Sequence, residues 1–305
     1  MNDDIMRYPR WLMGGLRCDR EQYLEALQEA IYPVRKLLLK TAFNRVFYDI
    51  YVPTREIMLY GAQWKLPPED ALNEFRTILQ RESIQGKLVE FRRAVFYKGL
   101  SIEVFGGRLV IPIVEEFSHW GSWACLRYIR RDKAQTIHSR RYLFAMLISD
   151  VILNLLGIEE RKKIRLLEEW QNALLQRVGE PLQKYNRQIP YVEVDKIYEE
   201  QKPLWTSIFL GKELNMEFIR CRLSRELYSI LNTLTVKLRP YADQLKMLRS
   251  RSKLTKPFDD IVMRRLVHGN WLRLDIDNAR ELLFLHLLKV IFKSRGKDAE
   301  INKRK

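Results

Sequence analysis

Residues 143 to 158 read LFAMLISDVILNLLGI, and no other stretch limits the fold as tightly. A bilayer span needs about 20 consecutive apolar residues. This run has sixteen, with Asp150 and Asn154 inside it. A helix this apolar has to be buried in protein, so the rest of the chain must supply a core around it. A second run, LLFLHLLKVIF, carries His286 and Lys289 and reads as core too, with His286 a hydrogen-bonded core histidine. At 305 residues and 47% hydrophobic, the chain has enough length and apolar mass for one large domain or two ordinary ones. It holds only 13 Gly and 11 Pro, which favours long helices over the many tight turns of an all-β protein.

The local patterns agree. CDREQYLEALQEAIY reads as a helix capped by Asp19, with Gln22 completing a capping box. Pro33 starts a second, PVRKLLLKTAFNRVFYDIY, at the position where a missing N–H costs least. PPEDALNEFRTILQRESI places two acids in a first turn, where they complement the helix dipole. WACLRYIRRDKAQTIHSRRYLFAMLISDVILNLL predicts two helical pieces. EERKKIRLLEEWQNALLQRV predicts a long helix with Glu159/Lys163 and Arg165/Glu169 spaced for i,i+4 pairing, its RKKIR a solvated face. The exception is LSIEVFGGRLVIPIVEE, where two β-rich runs flank Gly106-Gly107 and predict a hairpin over about residues 100–114. Gly179, Pro181 and Pro190 break the periodicity. The expected organisation is a helical domain over 1–180 with the hairpin, a linker over 181–196, and a basic helical domain over 197–305. The expected class is mainly α.

Charge is concentrated at one end. The net charge is +16, and residues 201–305 carry 23 basic and 11 acidic residues. Two constellations stand out. KMLRSRSKLTKPF gathers Lys246, Arg249, Arg251, Lys253 and Lys256 with no acid between Asp243 and Asp259, and Lys237, Arg239, Arg264 and Arg265 extend it. Its spacing predicts a loop between helices that presents cations to phosphates. RYIRRDKAQTIHSRRY carries Arg127, Arg130, Arg131, Arg140 and Arg141, interleaved with Trp120, Trp123, Tyr128 and Tyr142. Planar aromatics beside guanidinium groups suit stacked bases.

Catalytic and metal signatures are missing from the sequence. The four histidines have no ligand spacing, there is no C-x-x-C, and no phosphate-binding or nucleophile motif occurs. Asp275 and Asp277 read as helix-capping acids. Three distant cysteines, no sequon and no signal peptide point to an intracellular compartment.

VEEFSHWGSWACLRYI resembles the first homology motif of the Bcl apoptosis regulators, although Ser122 stands where that motif has Arg. KMLRSRSKLTKPFDDIVMRRLVHGNWLRLDIDNA is similar to a helical stretch of a family of splicing factors, without that family's long Pro-Trp segment. Neither carries a residue role to this chain.

The sequence therefore leads to a non-catalytic RNA- or DNA-associated subunit of a larger intracellular complex, with other protein subunits as partners, no cofactor and no membrane span. The alternative is a helical adaptor for acidic proteins. An enzyme without a recognisable motif is the third class.

Overall fold

The computed structural model describes residues 11–19, 21–51, 56–86, 88–97, 105–131, 138–180, 184, 186–187, 191–210, 213–276 and 278–302. Among them the protein is mainly helical with a small antiparallel sheet. They divide into two compact units, one from residues up to 136 plus 248–261, the other from 137–247 plus 262 onward.

The first unit is built on strands β1 (Trp11–Arg17), β2 (Phe43–Tyr51), β3 (Glu56–Trp64) and β4 (Glu90–Phe96), in the order β2-β3-β1-β4, all antiparallel. A helical stretch over Tyr23–Ala26 widens to a π turn at Leu27–Ile31 and continues as α1 (Tyr32–Thr41). Helices α2 (Pro68–Gly86) and α3 (Ile111–Arg131) complete it.

Period-2 alternation along β1 explains the layering. A Cβ on Gly14 would lie 2.2 Å from Leu79 and 2.9 Å from Phe75, so α2 covers that face and leaves no room for a side chain. Trp11 points the other way. It packs edge-on against Phe47 at 5.0 Å and Phe105 at 5.3 Å, and its Nε1 donates to Glu115 Oε1 of α3 at 2.7 Å. Gln63 Nε2 donates to the other Glu115 oxygen at 3.0 Å, and Arg45 Nε to Glu116 Oε1 at 2.6 Å. Both acids are therefore buried with partners, as burial of charge requires. Arg35 is buried as well, donating to the carbonyls of Val46 and His119 and lying 3.2 Å from His119 Nδ1. Burial, then the Arg35 and Arg45 charges, hold the His119 imidazole down at about 3, so it is neutral. Burial also lowers Arg35, to about 10.

The small β element is present, but its strands lie elsewhere than around Gly106-Gly107. Residues 100–104 fall outside the described residues, and 105–110 form a turn that feeds α3. Gly106 and Gly107 have φ of 89° and 109°, which suits glycine, and the turn closes on a distant segment: Thr255 N–H donates to the Gly106 carbonyl at 3.0 Å. A Cβ on Gly106 would meet Ile261 at 2.4 Å. The helix expected from Pro33 to Tyr51 stops at Thr41, and FNRVFYDIY becomes β2. The Asp19 side chain does not cap the first helix. Gln22 occupies the N-cap without a side-chain bond.

The second unit packs α4 (His138–Leu155), α5 (Glu160–Val178), α6 (Tyr191–Glu200), α7 (Lys202–Ile208), α8 (Arg225–Ser250) up to residue 247, α9 (His268–Arg273) and α10 (Asn278–Asn302). Strands β5 (Phe209–Leu210) and β6 (Glu213–Leu214) form a minimal ladder. The apolar run that opens the sequence argument is α4, buried as expected.

Its two polar residues are explained by α5 and α10. Lys163 is fully buried, and its Nζ donates to Asp150 at 2.8 Å, Glu160 at 2.7 Å and Asn154 at 2.6 Å. Arg295 donates to Asp150 at 3.0 Å and pairs with Glu160 at 3.4 Å. RKKIR is thus not wholly solvated, because Lys163 turns inward to neutralise an acid that α4 brings into the core. Arg165 and Glu169 do pair on the exposed side, at 2.7 Å.

Candidate active site

A pocket of about 350 Å³ opens in the second unit, lined by Trp170, Ala173, Leu174, Gln176 and Arg177 of α5 and by Arg264. Helical spacing of 170, 173, 174 and 177 puts one face of α5 along it. Arg264 comes from a π-helical segment, Val262–Val267, that runs into α9. The extra residue in a π turn re-aims side chains and recurs at functional sites. Here it brings Arg264 to 5.8 Å from the Trp170 ring and His268, four residues on, to 4.7 Å from the same ring.

Behind Trp170 lies a buried polar group. Glu281, in the first turn of α10 and fully buried, accepts from Trp170 Nε1 through one oxygen. Its other oxygen lies 3.2 Å from His268 Nε2. Next to His268, the Trp271 indole donates to Ser149 at 2.8 Å, and Arg273 to Asn270 at 2.9 Å. The arrangement offers two exposed guanidinium groups and an aromatic wall to a ligand, with a histidine held one ring behind that wall.

Of the residues singled out in the sequence, Arg264 lines this pocket, while the members of the two basic clusters do not. Lys246 pairs with Asp243 at 2.7 Å on α8. Arg249 ends that helix and lies over the Phe258 ring at 4.5 Å, while Arg251, Lys253 and Lys256 are exposed on the connection that follows. The first half of that cluster is helix rather than loop. Arg127 lies over Trp123 at 5.3 Å and Arg130 over Tyr32 at 4.6 Å. Arg131 and Arg140 are helical, with side chains outside the described residues. Arg141 donates to the Leu274 carbonyl and Asp275, each at 3.4 Å. Asp275, at φ 58°, also holds Arg280 at 2.9 Å, so it anchors two arginines. Asp277 lies outside the described residues. His286 is half-buried and bonds Asp195 at 2.8 Å.

Residues 11–291 match the family described as Lantibiotic biosynthesis dehydratase C-term. The chain belongs to that family. As a lantibiotic dehydratase C-terminal domain it has solved counterparts of the same fold. The tRNA-dependent lantibiotic dehydratase MibB from Microbispora sp. is 14% identical with a TM-score of 0.67, over 98% of this chain and 29% of MibB. TsrL is 12% identical at 0.56, over 94% and 95%. The pyridine synthase TbtD from thiomuracin biosynthesis is 10% identical at 0.53, over 92% and 97%. The chain therefore spans under a third of MibB and nearly all of the other two. No curated protein sequence matches it.

This membership corrects the reading of the basic clusters as a nucleic-acid surface. The matched family is one of lantibiotic biosynthesis, and MibB and TbtD carry the names of a dehydratase and a pyridine synthase rather than of nucleic-acid-binding subunits. Among the described residues no helix is long and apolar enough to cross a membrane.

Proposed function

We propose that this chain is a peptide-tailoring enzyme domain that works inside the cell, promoting elimination from a side chain of a peptide substrate through the pocket between α5 and Arg264. The family match over residues 11–291 carries the reading. Dehydration of a peptide removes a proton from Cα and an oxygen leaving group from Cβ. It needs a base for the first and positive charge for the second. Arg177 and Arg264 stand where an anion can be held, Trp170 and Leu174 supply an apolar wall, and His268, 4.7 Å behind the Trp170 ring, is the proton carrier.

The test is co-expression with candidate precursor peptides, with and without a full-length MibB-type dehydratase, followed by mass spectrometry. Loss of water or of a larger leaving group should require this chain, and His268→Ala and Arg264→Ala should abolish it while far-UV circular dichroism is unchanged. Unaltered peptide masses in every combination would sink the proposal.

A further inference from the structure

The pocket wall and the histidine behind it share one carboxylate. Glu281 is fully buried, takes the Trp170 indole N–H on one oxygen, and meets His268 Nε2 on the other. We infer that Glu281 is a positioning residue that fixes His268 in the tautomer with its proton on Nε2, leaving Nδ1 as the nitrogen able to take a proton. This rests on the function proposed above.

The chemistry of the donors carries the argument. An indole nitrogen can only donate, and an ionised carboxylate can only accept. With Trp170 occupying one oxygen, the other can satisfy His268 only if Nε2 carries the hydrogen. The same contact fixes the wall, since the Trp170 ring, 4.7 Å from the imidazole, lines the pocket. One side chain thus sets both the direction in which the base faces and the surface against which a ligand rests. Its place in the first turn of α10 puts the carboxylate where the helix dipole favours negative charge. His268 itself starts α9 immediately after the π segment, so its backbone is held by regular helix on one side only. A second constraint on the ring is what a proton carrier needs.

Glu281→Gln is a sharp test because Trp170 dictates its outcome. The indole claims the amide oxygen, which leaves the amide NH₂ facing Nε2. That group donates, so Nε2 must become the acceptor and the proton must move to Nδ1. The fold and the packing volume stay the same while the tautomer reverses. Long-range ¹H–¹⁵N NMR on protein labelled at histidine, with His268→Ala to assign the signals, reads this directly and without any peptide. Wild type should show a protonated Nε2 and a bare Nδ1, and Glu281→Gln the reverse. The Trp170 indole N–H should stay hydrogen-bonded in both.

On a processed peptide, Glu281→Gln should lower kcat within the about 10²- to 10⁴-fold range that a general base contributes, with KM little changed. It should add no further loss in a His268→Ala background. Glu281→Asp, which keeps the charge on a shorter stem, should restore part of the rate. A bare Nε2 in wild type, or a tautomer indifferent to Glu281→Gln, overturns the assignment. So does a reversed tautomer with full turnover on a peptide that His268→Ala fails to process. A His268→Ala enzyme as active as wild type overturns the proton role of His268 itself, a failure of the proposed function that the tautomer readout keeps separate.

Discussion

Replacing Lys163 with Met should unfold the second unit more readily than any surface change of equal size. The lysine Nζ touches two carboxylates and an amide oxygen at 2.6–2.8 Å, with no exposure to water. At an effective dielectric of about 20, each unit-charge contact at that distance is worth about 6 kcal/mol gross. Much of this offsets the desolvation of the ammonium, so the loss of one partner from a buried cluster nets about 3–5 kcal/mol. The structure shows why the loss is not smaller. Asp150 and Glu160 would keep the Arg295 cation, at 3.0 and 3.4 Å, and Asp150 the neutral Asn154 amide at 3.1 Å, so the cluster would change from balanced to net negative. Met keeps the stem volume, so the cost reports charge rather than a cavity. Urea unfolding followed by circular dichroism measures it, and the thermal midpoint should fall by roughly 10 °C. The double variant Lys163→Met with Glu160→Gln restores neutrality and should recover at least about 1 kcal/mol. A single-variant loss below about 1 kcal/mol, or no recovery in the double, would refute the reasoning.

On the same helix, Arg165→Ala breaks an ion pair of equal length, but the arginine is 76% exposed, so urea unfolding should register no more than about 0.5 kcal/mol. His119 titrates at 6.5 when unfolded and about 3 when folded, so the unfolded chain gains a proton that the folded one refuses. Its contribution to stability is complete above pH 6.5 and is lost as pH falls from 6.5 toward 3, at up to about 1.4 kcal/mol per pH unit. His119→Asn should remove that component, read as the wild-type minus variant difference in unfolding free energy across the window. Gly14→Ala should cost about 1–3 kcal/mol by forcing Leu79 and Phe75 aside, whereas Gly15→Ala meets the flexible Arg93 stem at 3.3 Å and the Glu56 carboxylate at 3.4 Å and should be nearly neutral in thermal unfolding.

The helices were legible because their signals are local. α2 carries its acids in the first turn, α4 its apolar run, and α5 its exposed i,i+4 pair. The sheet was not, for two reasons. No Gly or Pro separates Thr41 from Phe43, so periodicity ran α1 on into β2. In β1, Gly14 is required because α2 presses on it, a reason found only in three dimensions. Lys163 misled in the same way, since it sits in a run of basic residues while its partner Asp150 lies a helix away. The candidate site was illegible. Trp170 and Glu281 are 111 residues apart, His268 precedes Glu281 by 13, and nothing in their spacing announces that one carboxylate joins them. The π turn that aims Arg264 and His268 has no sequence signature of its own. Charge drew attention to the basic stretches instead, where Arg127, Arg130 and Arg249 lie over rings of their own unit and Arg251, Lys253 and Lys256 are exposed.

The turn at Gly106 has a consequence for synthesis on the ribosome. Its carbonyl is bonded by Thr255, and its missing Cβ leaves the space that Ile261 fills. The chain leaves the tunnel N-terminus first, so the sheet and its two covering helices emerge long before the segment that finishes their unit. During that interval the turn lacks its hydrogen bond and the space beside Gly106 stays open. A nascent chain halted at residue 136 should therefore resist a protease less well than one extended past Ile261. The loop between the two contacts, about 150 residues long, makes this closure one of the slowest steps in maturation.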